Sequence, residues 1–234
     1  MNNQDQAIIR GGSISGLNQF YARVYGFVGL GLGLSAFVSF LFLTVFRESL
    51  ASIISSGAGT ILVWGVFIAE LFLVFAASKA SVNNSSSALP LYIAYSALNG
   101  FSLSFILAFY RVGTVTAAFV TTALMFVVLA VIGANVKKDL SGMARACYAA
   151  LIGLIIASVV NFFLRSSGMD FIISILGVLT FSGLTAYDNQ RIRYVYESSN
   201  GQVPQGWVVS LALGLYLDFI NIFLYLLRIF GNRD

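Results

Sequence analysis

Long apolar stretches, separated by short polar connectors, alternate along almost the whole of this 234-residue chain. Each stretch approaches or reaches the roughly 20 mostly apolar residues that an α-helix needs to cross a bilayer. The pattern predicts an all-α polytopic membrane protein, with a short polar tail over residues 1–23 and a single transmembrane domain over residues 24–234. The seven transmembrane helices are predicted at Val24–Phe46, Thr60–Ala77, Leu89–Tyr110, Thr114–Gly133, Ala146–Leu164, Phe171–Arg191 and Trp207–Ile229.

The composition agrees with lipid as the surroundings of these helices. Hydrophobic residues make up 59% of the chain and charged residues 9%, against about 25% charged in a soluble domain. Histidine is absent and the one cysteine, Cys147, lies in an apolar run, which removes histidine-dependent nucleophiles and thiolate metal sites. We therefore expect neither an enzyme nor a resident cofactor. The net charge of +4 comes from scattered cations rather than a basic patch interleaved with aromatics, so no nucleic-acid partner is expected.

The distribution of cations predicts the orientation in the membrane. Lysine and arginine concentrate in cytoplasmic connectors, and the more basic side is the one that carries the N-terminus. That side holds Arg10, Arg23, Lys79, Lys137, Lys138, Arg145, Arg191 and Arg193, and the other holds Arg47, Arg111, Arg165, Arg228 and Arg233. The N-terminus is therefore predicted to be cytoplasmic.

Acidic residues inside the spans are the candidates for function, because an ionisable side chain in lipid is costly. Asp218 lies near the middle of the seventh span, with Gly214, Asn221 and Tyr225 on the same face at helical spacing. A polar stripe on an apolar helix must face protein or water rather than lipid. The alternative is an aspartate that serves only helix packing.

Asp188 ends the apolar run of the sixth span and has Arg191 three residues further on. If the chain turns near residues 197–206, Asp188 and Asp218 both lie roughly 13–18 Å from that turn, at 1.5 Å rise per residue. Two carboxyls at similar depth on adjacent helices would resist double ionisation and share a proton. A doubly ionised pair would repel or recruit a hard cation such as Ca²⁺, which prefers oxygen ligands. Asp188 and Asp218 are therefore candidates for pH sensing and gating, and for transient Ca²⁺ binding.

Glu70 is the remaining acid in the middle of a span. It is interpreted either as lining the same pathway or as hydrogen-bonded to Asn99 or Asn161. Together with Asn221 and Arg191, Glu70 and Asn99 make up the predicted set of pathway-lining or supporting residues.

Three glycines of the first span, Gly26, Gly29 and Gly33, share one face. Such a face allows close approach of another helix backbone. Packing within the chain is the favoured interpretation, and dimerisation is the alternative.

The sequence resembles the bacterial branch of the Bax inhibitor-1 (TMBIM, or UPF0005) family from about Gln19 to the C-terminus. The segments that carry the resemblance are Ala94–Gly100 (AYSALNG), Lys138–Gly142 (KDLSG), Leu184–Gln190 (LTAYDNQ) and Leu215–Arg233 (LYLDFINIFLYLLRIFGNR). The resemblance implies a last helix surrounded by the other six, a bacterial inner-membrane location and, as in some members, a pH-sensitive Ca²⁺ leak. The family's paired aspartates map onto Asp188 and Asp218. The second-helix arginine that latches an aspartate in some members has no counterpart, because no arginine occurs between Arg47 and Arg111.

Two other functions compete with a cation leak. A regulatory membrane protein would act by binding a membrane protease or another membrane-protein partner through its helices or its tail. An intramembrane aspartyl protease would need a Gly-x-Gly-Asp sequence on the second aspartate helix, where this chain has Leu215-Tyr216-Leu217-Asp218.

Overall fold

The computed structural model describes the backbone of residues 3–231 and, within it, the side chains of residues 15–56, 59 and 61–231. Eight helices and no strand occur in this described part. The helices are α1 Asn3–Thr44, α2 Arg47–Ser55, α3 Gly57–Val82, α4 Ala88–Leu107, α5 Val112–Asn135, α6 Ser141–Leu164, α7 Ser167–Ser198 and α8 Gln205–Phe230.

Seven of these helices contain a segment long and apolar enough to cross a bilayer, which confirms the predicted number and order of spans. The segments are Ser15–Thr44, Ile61–Val82, Ala88–Leu107, Val112–Asn135, Ser141–Leu164, Ser167–Ser198 and Gln205–Phe230. Large apolar side chains on their outer faces are exposed, among them Phe72 at 73% and Phe163 at 77%. Exposing this much apolar surface is unfavourable in water and favourable in lipid.

Two boundaries and one element differ most from the prediction, while the other helix ends lie within five residues of it. Helix α1 begins at Asn3 instead of Val24, and α7 continues to Ser198 instead of ending at Arg191, because polar residues at the end of a span still form helix. The short helix α2 was not predicted. It buries only Leu50, and nine residues cannot give the long apolar run that marks a span.

The chain divides into two compact units. Unit 1 comprises Met1–Phe109 and Val195–Leu213, and unit 2 comprises Tyr110–Tyr194 and Gly214–Asp234. The last helix, α8, has the largest buried share of any span, 67%. The expectation that six helices surround it stays a prediction, as does the single transmembrane domain.

Within unit 1, α1 and α4 approach each other through small polar residues. Ser35 Oγ donates to the carbonyl of Ser96 at 2.7 Å, and Ser39 Oγ donates to the carbonyl of Gly100 at 2.5 Å. A Cβ placed on Gly100 would lie 2.5 Å from the carbonyl oxygen of Ser35. Small residues and hydroxyl donors hold helices together in lipid, where the hydrophobic effect does not.

The predicted packing of the α1 glycine face within the chain is wrong. A Cβ at Gly26, Gly29 or Gly33 would meet nothing within 4 Å, and all three glycines are exposed. The close approach of α1 to α4 uses the serine face of α1 instead, because hydroxyls there reach backbone carbonyls of the partner helix.

Within unit 2, α5 and α7 are in contact at Gly133, where an added Cβ would collide with the backbone of Ala186. The last span joins this unit through aromatic contacts. Phe219 of α8 lies 5.4 Å from Phe126 of α5, measured between ring centroids, and Tyr225 lies 6.0 Å from Phe181 of α7. These contacts fix which face of α8 is turned toward α5 and α7.

Candidate functional site

The two predicted acids, Asp188 on α7 and Asp218 on α8, both belong to unit 2 and are buried, with 7% and 5% of their surface exposed. The Asp188 carboxyl reaches α8 at Gly214, where an added Cβ would lie 2.6 Å from Asp188 Oδ2. Gly214 precedes Asp218 by four residues, and helical side chains lean toward the N-terminus of their helix. The Asp218 carboxyl therefore leans toward Asp188, and the two acids interact electrostatically.

Hydrogen bonding leaves part of this acid pair unsatisfied. The Thr185 hydroxyl, one turn before Asp188, lies close enough to the Asp218 carboxyl to interact with it. In the described part of the chain, Asp188 Oδ1 and Asp218 Oδ2 are buried and have no hydrogen-bond partner. Buried polar oxygens are nearly always satisfied. A proton, a water molecule or a cation bound between α7 and α8 would satisfy these two oxygens.

Further charged and titratable groups near the acid pair come from α7 and from α6. Arg191, half-buried on α7, exerts its positive charge on Asp188. From α6, Tyr148 interacts electrostatically with both aspartates and Cys147 interacts with Asp218. Arg191 thus lies where the sequence predicted a supporting residue, while the two α6 groups were not assigned to the site.

The other predicted residues have different hydrogen-bond partners. Asn221 donates to the carbonyl of Leu217 at 2.8 Å, so its amide serves its own helix. Glu70 lies in unit 1 and accepts a hydrogen bond of 3.3 Å from Asn99 Nδ2. This confirms Asn99, one of the two predicted alternatives, as its partner.

Asn161, the other alternative for Glu70, donates instead to Asp170 at 2.7 Å. The described residues contain no group of three or more histidine, cysteine, aspartate and glutamate side chains placed to hold a metal ion. Transient Ca²⁺ binding by the two aspartates stays a prediction.

Besides the two α6 groups, the sequence reasoning did not assign Thr185 or Gly214 to the site, although it placed Gly214 on the Asp218 face of the last span. Their positions carry a signal, since Thr185 precedes Asp188 by three residues and Gly214 precedes Asp218 by four. Each therefore lies on the same helix face as its aspartate. Their contacts with the opposite aspartate depend on helix rotation, which spacing alone does not fix.

Comparison with known proteins adds a family match and a set of similar membrane proteins. The family model described as "Inhibitor of apoptosis-promoting Bax1" matches residues 17–234. A membrane protein of Streptococcus pyogenes serotype M1 is 52% identical over 219 residues, which cover 94% of this chain and 95% of the relative. YrjE of Lactococcus lactis is 46% identical over 223 residues, and the inner membrane protein YbhL of Escherichia coli K12 is 38% identical over 224 residues; each match covers 94% of both chains.

Proposed function

Because this chain belongs to the Bax inhibitor-1 family of membrane proteins, we propose that it forms a pH-sensitive leak pathway for Ca²⁺ or other cations across the bacterial inner membrane. Protonation of the Asp188–Asp218 pair gates the pathway. The observation that carries this proposal is the unsatisfied oxygen on each of the two buried, interacting aspartates. The inner membrane is proposed by analogy with the inner membrane protein YbhL, and the role is not enzymatic.

The gate works through the proton that the two carboxyls share. With a proton between them, the pair carries one negative charge, and Arg191 lies close enough to offset part of it. When the proton leaves, two like charges face each other in a medium of low dielectric, where their repulsion is several times that in water. The repulsion separates α7 from α8 locally and offers carboxylate oxygens to a passing hard cation.

Thr185 couples the protonation state to hydrogen bonding. Its hydroxyl donates to the carbonyl of Phe181 at 2.8 Å, and a hydroxyl has one proton to give. While that bond is made, the Thr185 proton is not available to Asp218, so only a protonated Asp218 could form a hydrogen bond with Thr185, as the donor. After Asp218 ionises, Thr185 must turn its proton toward the carboxylate and release Phe181. Loss of the proton therefore changes the packing of α7 as well as the charge.

Reconstitution of the full chain into vesicles that contain a Ca²⁺ dye tests the proposal. We expect Ca²⁺ flux that rises with pH, and loss of this pH dependence in Asp188→Asn and in Asp218→Asn. Asp170→Asn is the matched control, because Asp170 is an acid of the same helix that bonds to Asn161 instead. Flux in both pair variants that follows pH as in the unaltered chain contradicts the proposal.

Gly214→Ala tests the geometry of the gate without changing any charge. The new methyl group must displace Asp188 Oδ2 by about 0.8 Å to reach an ordinary contact of 3.4 Å. Because this moves the carboxyl away from α8, we expect a flatter dependence of Ca²⁺ flux on pH. Gly153→Ala is the control, since a Cβ there meets nothing within 4 Å. Identical pH profiles in the two variants would show that the Asp188 contact with α8 is irrelevant to gating.

The same vesicles discriminate between the competing functions. Vesicles that stay impermeable to Ca²⁺ at every pH favour a regulatory role through a membrane-protein partner. Cleavage of a model transmembrane peptide, lost in both aspartate variants, favours an intramembrane protease.

A further inference from the structure

A cavity of about 420 Å³ lies between α3 and α4 within unit 1, and none of its lining residues takes part in the proposed gate. Five residues of α3 form most of its wall, and Tyr95 of α4 closes it. The lining residues are Trp64, Phe67, Glu70, Leu71, Val74 and Tyr95. Trp64 and Leu71 are 58% and 59% exposed, so the cavity opens at the surface of this helix pair. Its volume falls in the range of small-molecule sites.

The wall of this cavity is apolar except at Glu70. The Glu70 carboxyl is 8% exposed, accepts a hydrogen bond from Asn99 and forms another with Ser102. The phenol of Tyr95 lies close enough to interact with it electrostatically. Within the part of the chain whose side chains are described, these partners of Glu70 are all uncharged. A buried carboxylate without a cationic partner is costly, so a ligand that brings a positive charge is complementary to it.

We propose that the cavity binds a small lipophilic amine, with the ammonium group against Glu70 and the hydrocarbon part along Trp64 and Phe67. Aromatic rings and a carboxylate around an apolar space are the groups that recognise organic ammonium ions, through cation–π attraction and charge-assisted hydrogen bonds. The adjacent amide and hydroxyl hold the carboxyl in place through their hydrogen bonds. The site is distinct from the acid pair of unit 2 and does not depend on the proposed leak.

The depth of Glu70 indicates where the amine comes from. Glu70 lies near the middle of the span Ile61–Val82, some 9 Å further along α3 than Trp64, from the helical rise of 1.5 Å per residue. A lipid headgroup does not reach this depth, whereas an uncharged amine dissolves in the hydrocarbon region. The uncharged amine takes the proton of the protonated Glu70 carboxyl, and the resulting ammonium–carboxylate pair has no net charge. The source is therefore a free amphiphile rather than a membrane lipid.

Trp64 supplies the readout for a test. The full chain with Trp207→Phe, which leaves Trp64 as the one tryptophan, is reconstituted into phosphatidylcholine vesicles. A long-chain tertiary amine that carries a nitroxide is added, and in parallel the matching nitroxide alcohol. We expect saturable quenching of Trp64 fluorescence by the amine, and for Glu70→Gln at least about tenfold weaker binding, because a charge-assisted interaction is lost.

Two further variants keep the result interpretable. Glu48→Gln removes an exposed glutamate of α2 in the same unit and is expected to bind the amine like the unaltered chain. Val74→Phe narrows the cavity and leaves Glu70 in place, so it is expected to weaken amine binding even if Glu70→Gln does not fold. Equal quenching by amine and alcohol would show that the cavity takes any apolar chain. That result, or full binding in both Glu70→Gln and Val74→Phe, overturns the proposal.

Discussion

The contact between α1 and α4 allows a prediction whose size follows from distances in the structure. Gly100→Ala places a methyl group 2.5 Å from the carbonyl oxygen of Ser35 and 2.8 Å from its Cα. Both atoms are backbone, so a rotamer change does not relieve the collision. The helices must separate by about 0.9 Å before the methyl group reaches the 3.4 Å of an ordinary contact.

That separation also breaks hydrogen bonds between the helices. The bonds from Ser39 to Gly100 and from Ser35 to Ser96 now measure 2.5 and 2.7 Å, and 0.9 Å more takes both to the limit of hydrogen bonding or past it. Side-chain hydrogen bonds between membrane helices average about 0.6 kcal/mol each, and overpacking costs about 1–3 kcal/mol. The higher helix propensity of alanine returns up to about 1 kcal/mol. The expected net loss is about 1–3 kcal/mol in the free energy of unfolding.

Steric trapping of the purified chain in bicelles measures this loss, because it reports the free energy of equilibrium unfolding. Gly29→Ala is the matched control on the partner helix, because a Cβ there meets nothing within 4 Å, and its free energy of unfolding is expected to stay the same or rise by up to about 1 kcal/mol. If Gly100→Ala proves as stable as Gly29→Ala, the two helices do not pack as closely as the structure places them, and the reasoning fails.

Two further predictions concern the connector between α5 and α6, residues 136–140. Gln190 of α7 accepts from the N–H of Leu140 at 2.9 Å and donates to the carbonyl of Lys138 at 2.8 Å. Gln190→Leu leaves both groups unpaired, so we expect about tenfold faster trypsin cleavage of the connector in detergent-solubilised protein. Hydrogen bonds from the hydroxyl and the N–H of Ser141 hold the pKa of Asp139 below its ordinary value of 3.8. The ionised Asp139 carboxylate therefore stabilises the start of α6 above pH 3.8, and this stabilisation is lost as the pH falls through the lowered pKa of Asp139. We expect faster amide hydrogen exchange in the first turn of α6 at acid pH, after normalisation for intrinsic exchange rates.

Controls separate these two effects from general destabilisation. Gln202→Leu changes an exposed glutamine in another connector and should leave the trypsin rate of the α5–α6 connector as it was. In Asp139→Asn, exchange in the first turn of α6 should no longer change between pH 6 and pH 3. If trypsin cleaves the connector equally fast in both glutamine variants, Gln190 does not hold the connector. If amide exchange in the first turn of α6 still changes with acid pH in Asp139→Asn, Asp139 is not the group responsible.

The number and order of the spans were predictable because lipid imposes a length requirement on each helix whatever its partners are. The ends of the helices were not, since backbone in the interfacial region stays helical through polar residues such as those before Val24 and after Arg191. Helix α2 escaped prediction for the opposite reason, because it is too short to carry a periodic signal. The prediction that the α1 glycines pack within the chain was wrong, because the small residues of α1 that contact α4 are Ser35 and Ser39.

The depth of the acid pair was also predictable, because the rise per residue is nearly constant in a helix. The rotation that turns Asp188 toward α8 was not, since it results from contacts distant in sequence. Gly133 lets α5 approach α7 at Ala186, and Phe219 sets the face of α8 by packing against α5. Spacing identifies which residues share a helix face, and only packing decides what that face meets.

The chemistry of the polar side chains within the spans explains why the acids, among all polar residues, are the candidates for function. Several neutral donors in these helices bond to the carbonyl four residues earlier on their own helix, as do Thr122, Ser174, Thr180, Asn189 and Asn221. An ionised carboxylate has no proton to donate, so this local solution is closed to it. It must find donors on other helices, hold a proton, or meet a cation. Glu70 takes the first course through Asn99. Asp188 and Asp218 each retain a buried oxygen that no described residue satisfies, so a proton, a water molecule or a cation is needed to complete the pair.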